Sequence, residues 1–367
     1  MLPPTTPLPI PTMSQAREAQ RKLVAAASEH FAGNAIFSTD VGVNPPLGRP
    51  DTTARVEAAL AMAFDAEAAC LVQGAGTGAI RTALSAGPLS EGDRRPIVHD
   101  AADYATTATT FHDTAIQPVR VDFNDAEALA RELAGGNVQW LYLQHTRQRL
   151  TDSYSPADVI AAARAAGVRT IVDDNYAVYR TPLMGSQLGA SASAFSLFKL
   201  HGPEGVGVVV GDADVIERAH RANYSGGGQV QGHQALMALQ QLVMVPVNWA
   251  LQAQASVELA QRLAAGEVPG IVEAQLANAQ DLCVIALLDR PVAPDLMRAA
   301  ARCGAATHPV GSNSRYEILP MVYRLSGSNL ETHPELRDRT LRINPMRADA
   351  ELCVRILQRA EGEIDVP

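Results

Sequence analysis

The chain reads as an α/β protein with three layers, αβα, around a mostly parallel sheet, and a smaller α+β domain at its C-terminal end. Three observations predict this. Short apolar runs at 68–73, 96–99, 138–143, 169–173 and 206–210 have the length of buried strands, and alanine-rich helical stretches lie between most of them. Strands alternating with helices pair in parallel and are covered on both faces, because each crossover lays a helix on the sheet. A glycine-rich turn, LVQGAGTGAI at 71–80, leads from the first run into a helix, and ligands of such sheets bind at the carboxyl ends of the strands. Beyond MVPVNWALQAQ (244–254) the alternation gives way to a different, smaller pattern.

Taken in order, residues 1–12 form a proline-rich extended arm, and residues 14–32 a helix with Ser14 as its N-cap. Lys22 lies on that helix among polar neighbours, as a solvated charge. GVNPPLGRPDTT (42–53) is a loop entering a helix whose apolar positions are Val56, Leu60 and Phe64. PADVIAAARAA (156–166) is a helix closed by Gly167. After the break at 244–254 a long helix links the domains, and 281–288 (DLCVIALL), the helix 293–303, TLRI (340–343) and the helix ADAELCVRILQRA build the small lobe. The expected boundaries are 1–45 for arm and first helix, 46–245 for the large domain, and 246–367 for linking helix and small domain.

Composition narrows the function classes. A hydrophobic share of 47% with 19% charged residues describes a soluble enzyme, and 367 residues exceed a typical single domain. The net charge of -9 argues against nucleic acid, which needs clustered Lys and Arg. The start, MLPPTTPLPIPTMSQ, has neither the basic region nor the apolar run of a signal peptide, and no later stretch reaches the roughly 18 apolar residues of a membrane helix. A cytoplasmic protein is expected. Cys70, Cys283, Cys303 and Cys353 lack C-x-x-C spacing and read as buried free thiols.

The chain has 28 arginines but only two lysines, Lys22 and Lys199. Lys199 stands in SAFSLFKLHGPEGVGVVVG (193–211), after a strand-like run and before a Gly-Pro-Glu-Gly turn. An apolar setting favours the neutral, nucleophilic form of an amine, which can then condense with an aldehyde. The turn allows the backbone to bend tightly beside a bulky ligand. Upstream, IVDDNYAVYRTPL (171–183) ends a buried strand in two carboxylates. Strand alternation points Asp173 into the crevice and Asp174 the opposite way.

These segments resemble the pyridoxal-phosphate-dependent transferases of fold type I, the aspartate aminotransferase fold. Lys199 with GPEGVG is similar to the lysine segment of class V aminotransferases and cysteine desulfurases, GTGAIR (76–81) to the phosphate loop of aspartate aminotransferases, and Asp173 with Tyr176 to the D-x-x-Y motif at the pyridine nitrogen. The likeness runs over residues 50–345 and points to an uncharacterised branch. It implies pyridoxal 5'-phosphate as cofactor, bound by the large domain, with Lys199 as Schiff-base lysine and Asp173 as partner of the ring nitrogen. Gly76, Thr77 and Gly78 would hold the phosphate, together with Ser196 of an S-x-x-K pattern. Tyr104 aligns with the aromatic that stacks on the ring, His145 would approach the ring hydroxyl, and Arg342 in TLRINPM would bind the substrate carboxylate with two parallel hydrogen bonds. YSGGGQVQGHQ (224–234) resembles a segment that crosses to a neighbouring subunit, implying a homodimer with shared active sites. Two departures stand out. Class V enzymes usually have histidine before the lysine, where this chain has Phe198, and no cysteine lies in a loop suited to a desulfurase's sulfur transfer.

The leading reading is an enzyme acting on an amino acid, with aminotransfer first and lyase or aldolase chemistry open to the same residues. An NAD-dependent oxidoreductase is a second reading, since Gly74, Gly76 and Ala79 fit G-x-G-x-x-G/A. It needs an acidic residue about 20 positions on, for which Glu91, Asp93 and Asp100 are near. That fingerprint belongs to the first strand of its domain, whereas some 70 residues precede it here. A third reading is a non-catalytic cofactor-binding protein, against which no basic segment or DNA-binding helix pair is appended.

Overall fold

The computed structural model describes residues 1–224, 228–277, 283–310, 313–325, 330 and 333–364, and the chain divides into two compact units. The larger comprises Ser14–Thr146 and Tyr154–Pro246. In chain order it contains α1 (Met13–His30), α2 (Asp51–Ala63), β1 (Ala68–Gln73), α3 (Ala75–Ala86), β2 (Ile97–His99), α4 (Ala105–Asp113), β3 (Val119–Val121) and α5 (Ala126–Ala134). There follow β4 (Trp140–Gln144), α6 (Pro156–Ala165), β5 (Arg169–Asp173), β6 (Ala192–Ser196), β7 (Val206–Gly211), α7 (Ala213–Ala222) and α8 (Gly232–Leu242).

The strands form one sheet in the order β1-β7-β6-β5-β4-β2-β3, parallel except for β7, which runs antiparallel to both its neighbours. The link from β6 to β7 is too short for a crossover helix, so the chain must turn straight back, and the expected run of parallel strands is interrupted there. Alternate residues feed two cores. Trp140, Tyr142 and Ile171 pack with Ile80, Ala83 and Leu84 of α3 and with Ile216 of α7. Leu141, Leu143 and Val172 pack with Leu129 of α5 and Ile160 of α6. Burial on both faces explains why these strands read as unbroken apolar runs. Strand β3 escaped sequence reading because it is three residues long with an exposed arginine at its centre.

Two local expectations need correcting. Helix α1 starts at Met13, so Ser14 lies inside its first turn and is not the cap. The stretch 244–254 holds the expected change of unit, between Pro246 and Val247, but the linking helix α9 (Val245–Ala264) already begins within it, with Pro246 in the first turn where a missing N–H costs nothing.

The smaller unit comprises Met1–Met13, Arg147–Ser153 and Val247–Pro367. After α9 come β8 (Ile271–Leu276), β9 (Val284–Leu288), α10 (Ala293–Arg302), β10 (Met321–Tyr323), β11 (Thr340–Asn344) and α12 (Ala350–Gly362). Its antiparallel sheet, in the order β10-β11-β9-β8, packs Val284, Ala286 and Ile343 against Leu296 of α10 and Leu357 of α12. The N-terminal arm is pinned beside β8, where Leu2 N–H donates to Glu273 at 2.8 Å and Gln275 Nε2 donates to the Pro3 carbonyl at 2.6 Å. All four cysteines are free and buried, as expected. Among the described residues no helix is long and apolar enough to cross a membrane.

Strand β1 lies at the sheet's edge, and side chains cap it: Glu57 Oε1 accepts the Leu71 N–H at 2.8 Å and Asn223 donates to the Leu71 carbonyl at 3.2 Å. Burial pushes the Glu57 carboxyl up to about 7, although Arg49 stands 2.5 Å away. A carboxyl whose folded pKa exceeds its unfolded value stabilises most below about 4.5, and this contribution is lost as pH rises through about 7. Glu57→Gln keeps the acceptor but does not titrate. Between about pH 5 and about pH 8 the native chain should therefore lose more in urea midpoint than Glu57→Gln, and equal losses would refute the assignment.

Candidate active site

Every parallel strand of the larger unit ends on the same edge of the sheet, and the antiparallel β7 starts there. Gly74 after β1, Asp173 at the end of β5, Ser196 at the end of β6 and the 197–205 connection are thereby gathered at one edge. This is the edge at which parallel sheets bind ligands.

The glycine turn is built for close backbone approach. Gly74 has φ +96° and Ala75 φ +52°, a left-handed pair that swings the chain from β1 into α3. Their N–H groups both donate to the Gly205 carbonyl, at 2.7 and 2.8 Å, so this turn is joined to the Gly-Pro-Glu-Gly turn that follows the lysine. A Cβ on Gly78 would stand 2.0 Å from the Gln73 carbonyl oxygen, and one on Gly76 would stand 2.5 Å from Asn175 Oδ1. Only glycine fits at 78, against backbone, whereas a side chain at 76 would have to displace the Asn175 amide. The first turn of α3 thus offers uncovered backbone donors and the positive end of a helix dipole, with the Thr77 hydroxyl 3.3 Å from that of Thr106 on α4.

Lys199 lies in a short 3-10 turn, Phe198–Leu200, closed by Leu200 and Gly202 N–H groups that both donate to the Leu197 carbonyl at 2.8 Å. Its Nζ is 3.8 Å from the centroid of the Tyr176 ring, a cation–π contact. Tyr176 itself has φ +66°, a left-handed conformation that a tyrosine adopts only when its surroundings impose it, and such strain gathers at functional sites. Lys22, by contrast, pairs with Asp65 at 2.8 Å on the surface.

Asp173 is 5% exposed. Its Oδ1 accepts from the Asn175 backbone N–H at 2.9 Å and from Asn175 Nδ2 at 2.8 Å, and its Oδ2 lies 3.3 Å from the Tyr142 hydroxyl. Burial pushes the carboxyl up to about 6, with Asp174 adding to the rise while the Asn175 hydrogen bonds and Lys199 oppose it. Asp174 points the other way, as alternation requires: Oδ1 is 2.7 Å from His145 Nδ1 and Oδ2 accepts the Gly185 N–H at 2.9 Å. That pair engages Nδ1 of the His145 ring.

The structure therefore brings Gly76, Thr77, Gly78, Asp173, Tyr176, Ser196 and Lys199 to one edge of one sheet. Tyr104 occupies the N-cap position of α4, 64% exposed and two residues before Thr106. Arg342 belongs to the smaller unit, on β11, where its guanidinium lies 4.9 Å from the Tyr323 ring centroid and Nε donates to Cys283 Sγ at 3.1 Å. Within the segment 224–234, residues 225–227 lie outside the described residues. Sequence reasoning missed Asn175, Tyr142 and the pairing of His145 with Asp174. The asparagine directly after two strand-end carboxylates was the available signal. The topology also corrects the dinucleotide reading: β1 and β2, linked by α3, would have to be adjacent parallel strands, yet four strands separate them in the sheet.

Comparison with known proteins supplies the lineage. The class-V aminotransferase family matches residues 99–241, and the YhfS-like C-terminal domain family matches residues 257–357. The protein YhfS of Escherichia coli K12 is 45% identical over 361 residues, 98% of this chain and 99% of its own. A crystal structure of the pyridoxal-5'-phosphate dependent protein YhfS from Escherichia coli superposes with a TM-score of 0.95, covering 98% of this chain and 99% of that one. A methionine gamma lyase from Micromonospora echinospora shares the fold at 20% identity and a TM-score of 0.71, covering 94% and 98%. A cysteine desulfurase of Yersinia pestis is 35% identical over 71 residues, 19% of this chain and 17% of its own.

Removing the Asp174 carboxylate would leave both the His145 ring and the Gly185 N–H without their acceptor. Asp174→Ala should cost about 2–4 kcal/mol in urea unfolding. A loss below about 1 kcal/mol would show that the pair contributes little.

Proposed function

The chain belongs to the family of the Escherichia coli protein YhfS, and from that membership we propose that it is a pyridoxal-phosphate-dependent enzyme of fold type I that acts on an amino acid through Lys199, as an aminotransferase. The observation that carries this reading is the buried Asp173 carboxylate on the same sheet edge as Lys199 and the glycine turn.

The residues fit the cofactor. Burial holds the Asp173 carboxyl at about 6, the mark of a buried anion short of positive charge, and a protonated ring nitrogen would supply it. The first turn of α3, with Gly76, Thr77 and Gly78, suits a phosphate, and Ser196 adds a hydroxyl at the same edge. Among the described residues Lys199 makes no ion pair, so its amine is available to bond to an aldehyde. When bound, the cofactor supplies a ring that withdraws electrons from the bonds at the substrate's α-carbon. With the cofactor bound, Asp173 would hold the ring nitrogen protonated, and the Lys199 amine would take and return the α-proton. Tyr104 is assigned to the ring face, Tyr176 to the setting of Lys199, and Arg342 to the substrate carboxylate. His145 shares a hydrogen bond with Asp174 through Nδ1, which leaves Nε2 for the ring hydroxyl.

Aminotransfer is preferred over lyase chemistry because the class-V aminotransferase family matches the segment that contains Asp173 and Lys199. Desulfurase chemistry lacks support, since all four thiols are buried. We also propose a homodimer. Phe37 and Val41 are 78% and 72% exposed, and Tyr224 is 61% exposed beside Gly48, apolar side chains that a second copy would cover.

With an amino acid and an oxo-acid acceptor, the enzyme should form the matching oxo acid and pyridoxamine phosphate. Steady ammonia release with no acceptor present would instead establish the lyase. Borohydride should fix pyridoxal phosphate covalently to the native chain, read as an intact-mass increase mapping to Lys199, and Lys199→Ala should show no adduct and at least about a 10³-fold loss of turnover. An adduct on Lys22 alone would refute the assignment.

A further inference from the structure

Asn175 has no part in the roles above, yet its side chain touches three of the segments on which they rest. Its Oδ1 accepts the Ser196 N–H at 3.0 Å, and its Nδ2 donates to Asp173 Oδ1 at 2.8 Å. Its own backbone N–H donates to the same carboxylate oxygen at 2.9 Å. The third contact is with α3, because a Cβ on Gly76 would collide with the amide, 2.5 Å from Oδ1 and 2.7 Å from Nδ2. The orientation of the amide is dictated by chemistry. Reversed, it would set oxygen against carboxylate and NH₂ against the Ser196 N–H. Asn175 therefore satisfies one donor on the lysine-bearing segment and one acceptor on the carboxylate, and it occupies the space that a side chain at Gly76 would fill.

We propose that Asn175 is the positioning residue of the site: it aims the Asp173 carboxylate at the cofactor's ring nitrogen and locks it to Ser196 and to the first turn of α3. The ring nitrogen and the phosphate belong to one small molecule, so the groups that would receive them must be held at compatible positions. A single amide bridging all three segments does this. The inference rests on the cofactor assignment made above. The other groups facing Asp173 are Tyr142, Asp174 and Lys199, and none of these is bonded to the Ser196 backbone.

The test uses the full chain stripped of cofactor and titrated with pyridoxal phosphate. Three readouts are needed: the dissociation constant from protein fluorescence, the acid pH at which the visible band of bound cofactor is half lost, and the melting temperature without cofactor. Asn175→Ala should weaken binding by about tenfold, since a hydrogen bond to a charged group is removed. It should also move the acid midpoint upward, because a carboxylate losing a donor is more easily protonated. Gly76→Ala should produce the same two changes by evicting the amide. The double variant Gly76→Ala/Asn175→Ala should be no worse than Asn175→Ala alone, as the clash disappears with the amide. A variant that melts lower but binds and titrates like the native chain would make Asn175 merely structural and overturn the proposal, as would additive losses in the double variant. Should Asn175→Ala fail to fold, the dissociation constant and acid midpoint of Gly76→Ala decide alone. A native chain that takes up no cofactor would overturn the cofactor reading itself, a result distinct from either.

Discussion

Asp173 sits at the end of a central strand, 5% exposed, where an ionised carboxylate is costly unless its oxygens are met. The backbone and amide of Asn175 meet one oxygen, and the Tyr142 hydroxyl approaches the other. These contacts do not bring the group back to an ordinary carboxylate, for burial still leaves it at about 6. The larger unit is arranged around this unfinished compensation. Asn175 also holds Ser196, the lysine turn follows Ser196, and Tyr176 is forced into a left-handed conformation beneath the lysine amine.

The two glycine turns form the second half of the arrangement. They lie far apart in sequence, at 74–78 and 202–205, yet the Gly205 carbonyl accepts two N–H groups from the first. This joint exists because β7 turns back against β1, bringing the connection after Lys199 to the start of α3. The one antiparallel strand in a parallel sheet is therefore what joins the start of α3 to the turn that follows Lys199. A regular parallel order would have separated them by a crossover helix.

Much of this was legible beforehand. The apolar runs of β1, β5 and β7 have two-sided burial and so carry a plain signal, whereas β3, β8 and β10 are short or half-exposed and carry little. Lys199 and Asp173 were legible because one of two lysines and a strand-end carboxylate are rare in such surroundings. Asp174 was correctly turned away by alternation alone, but its partner His145 follows the end of another strand, β4, and strand pairing is not written in either segment. Ser14 misled because a good capping residue one position inside a helix looks the same in sequence as one at its end.

By itself the sequence determined the alternating pattern, the glycines at close backbone approaches, and the choice of Lys199 and Asp173 as the candidate amine and carboxylate. Each of these depends on one residue and its near neighbours, through backbone strain, side-chain volume or burial of a short run. Only the tertiary structure decided that β7 is reversed, that Gly205 receives the first glycine turn, and that Asn175 spans Asp173, Ser196 and α3. Those are hydrogen bonds and close approaches between segments up to about 130 residues apart, and their geometry is set by the packing of the whole sheet, not by local preference.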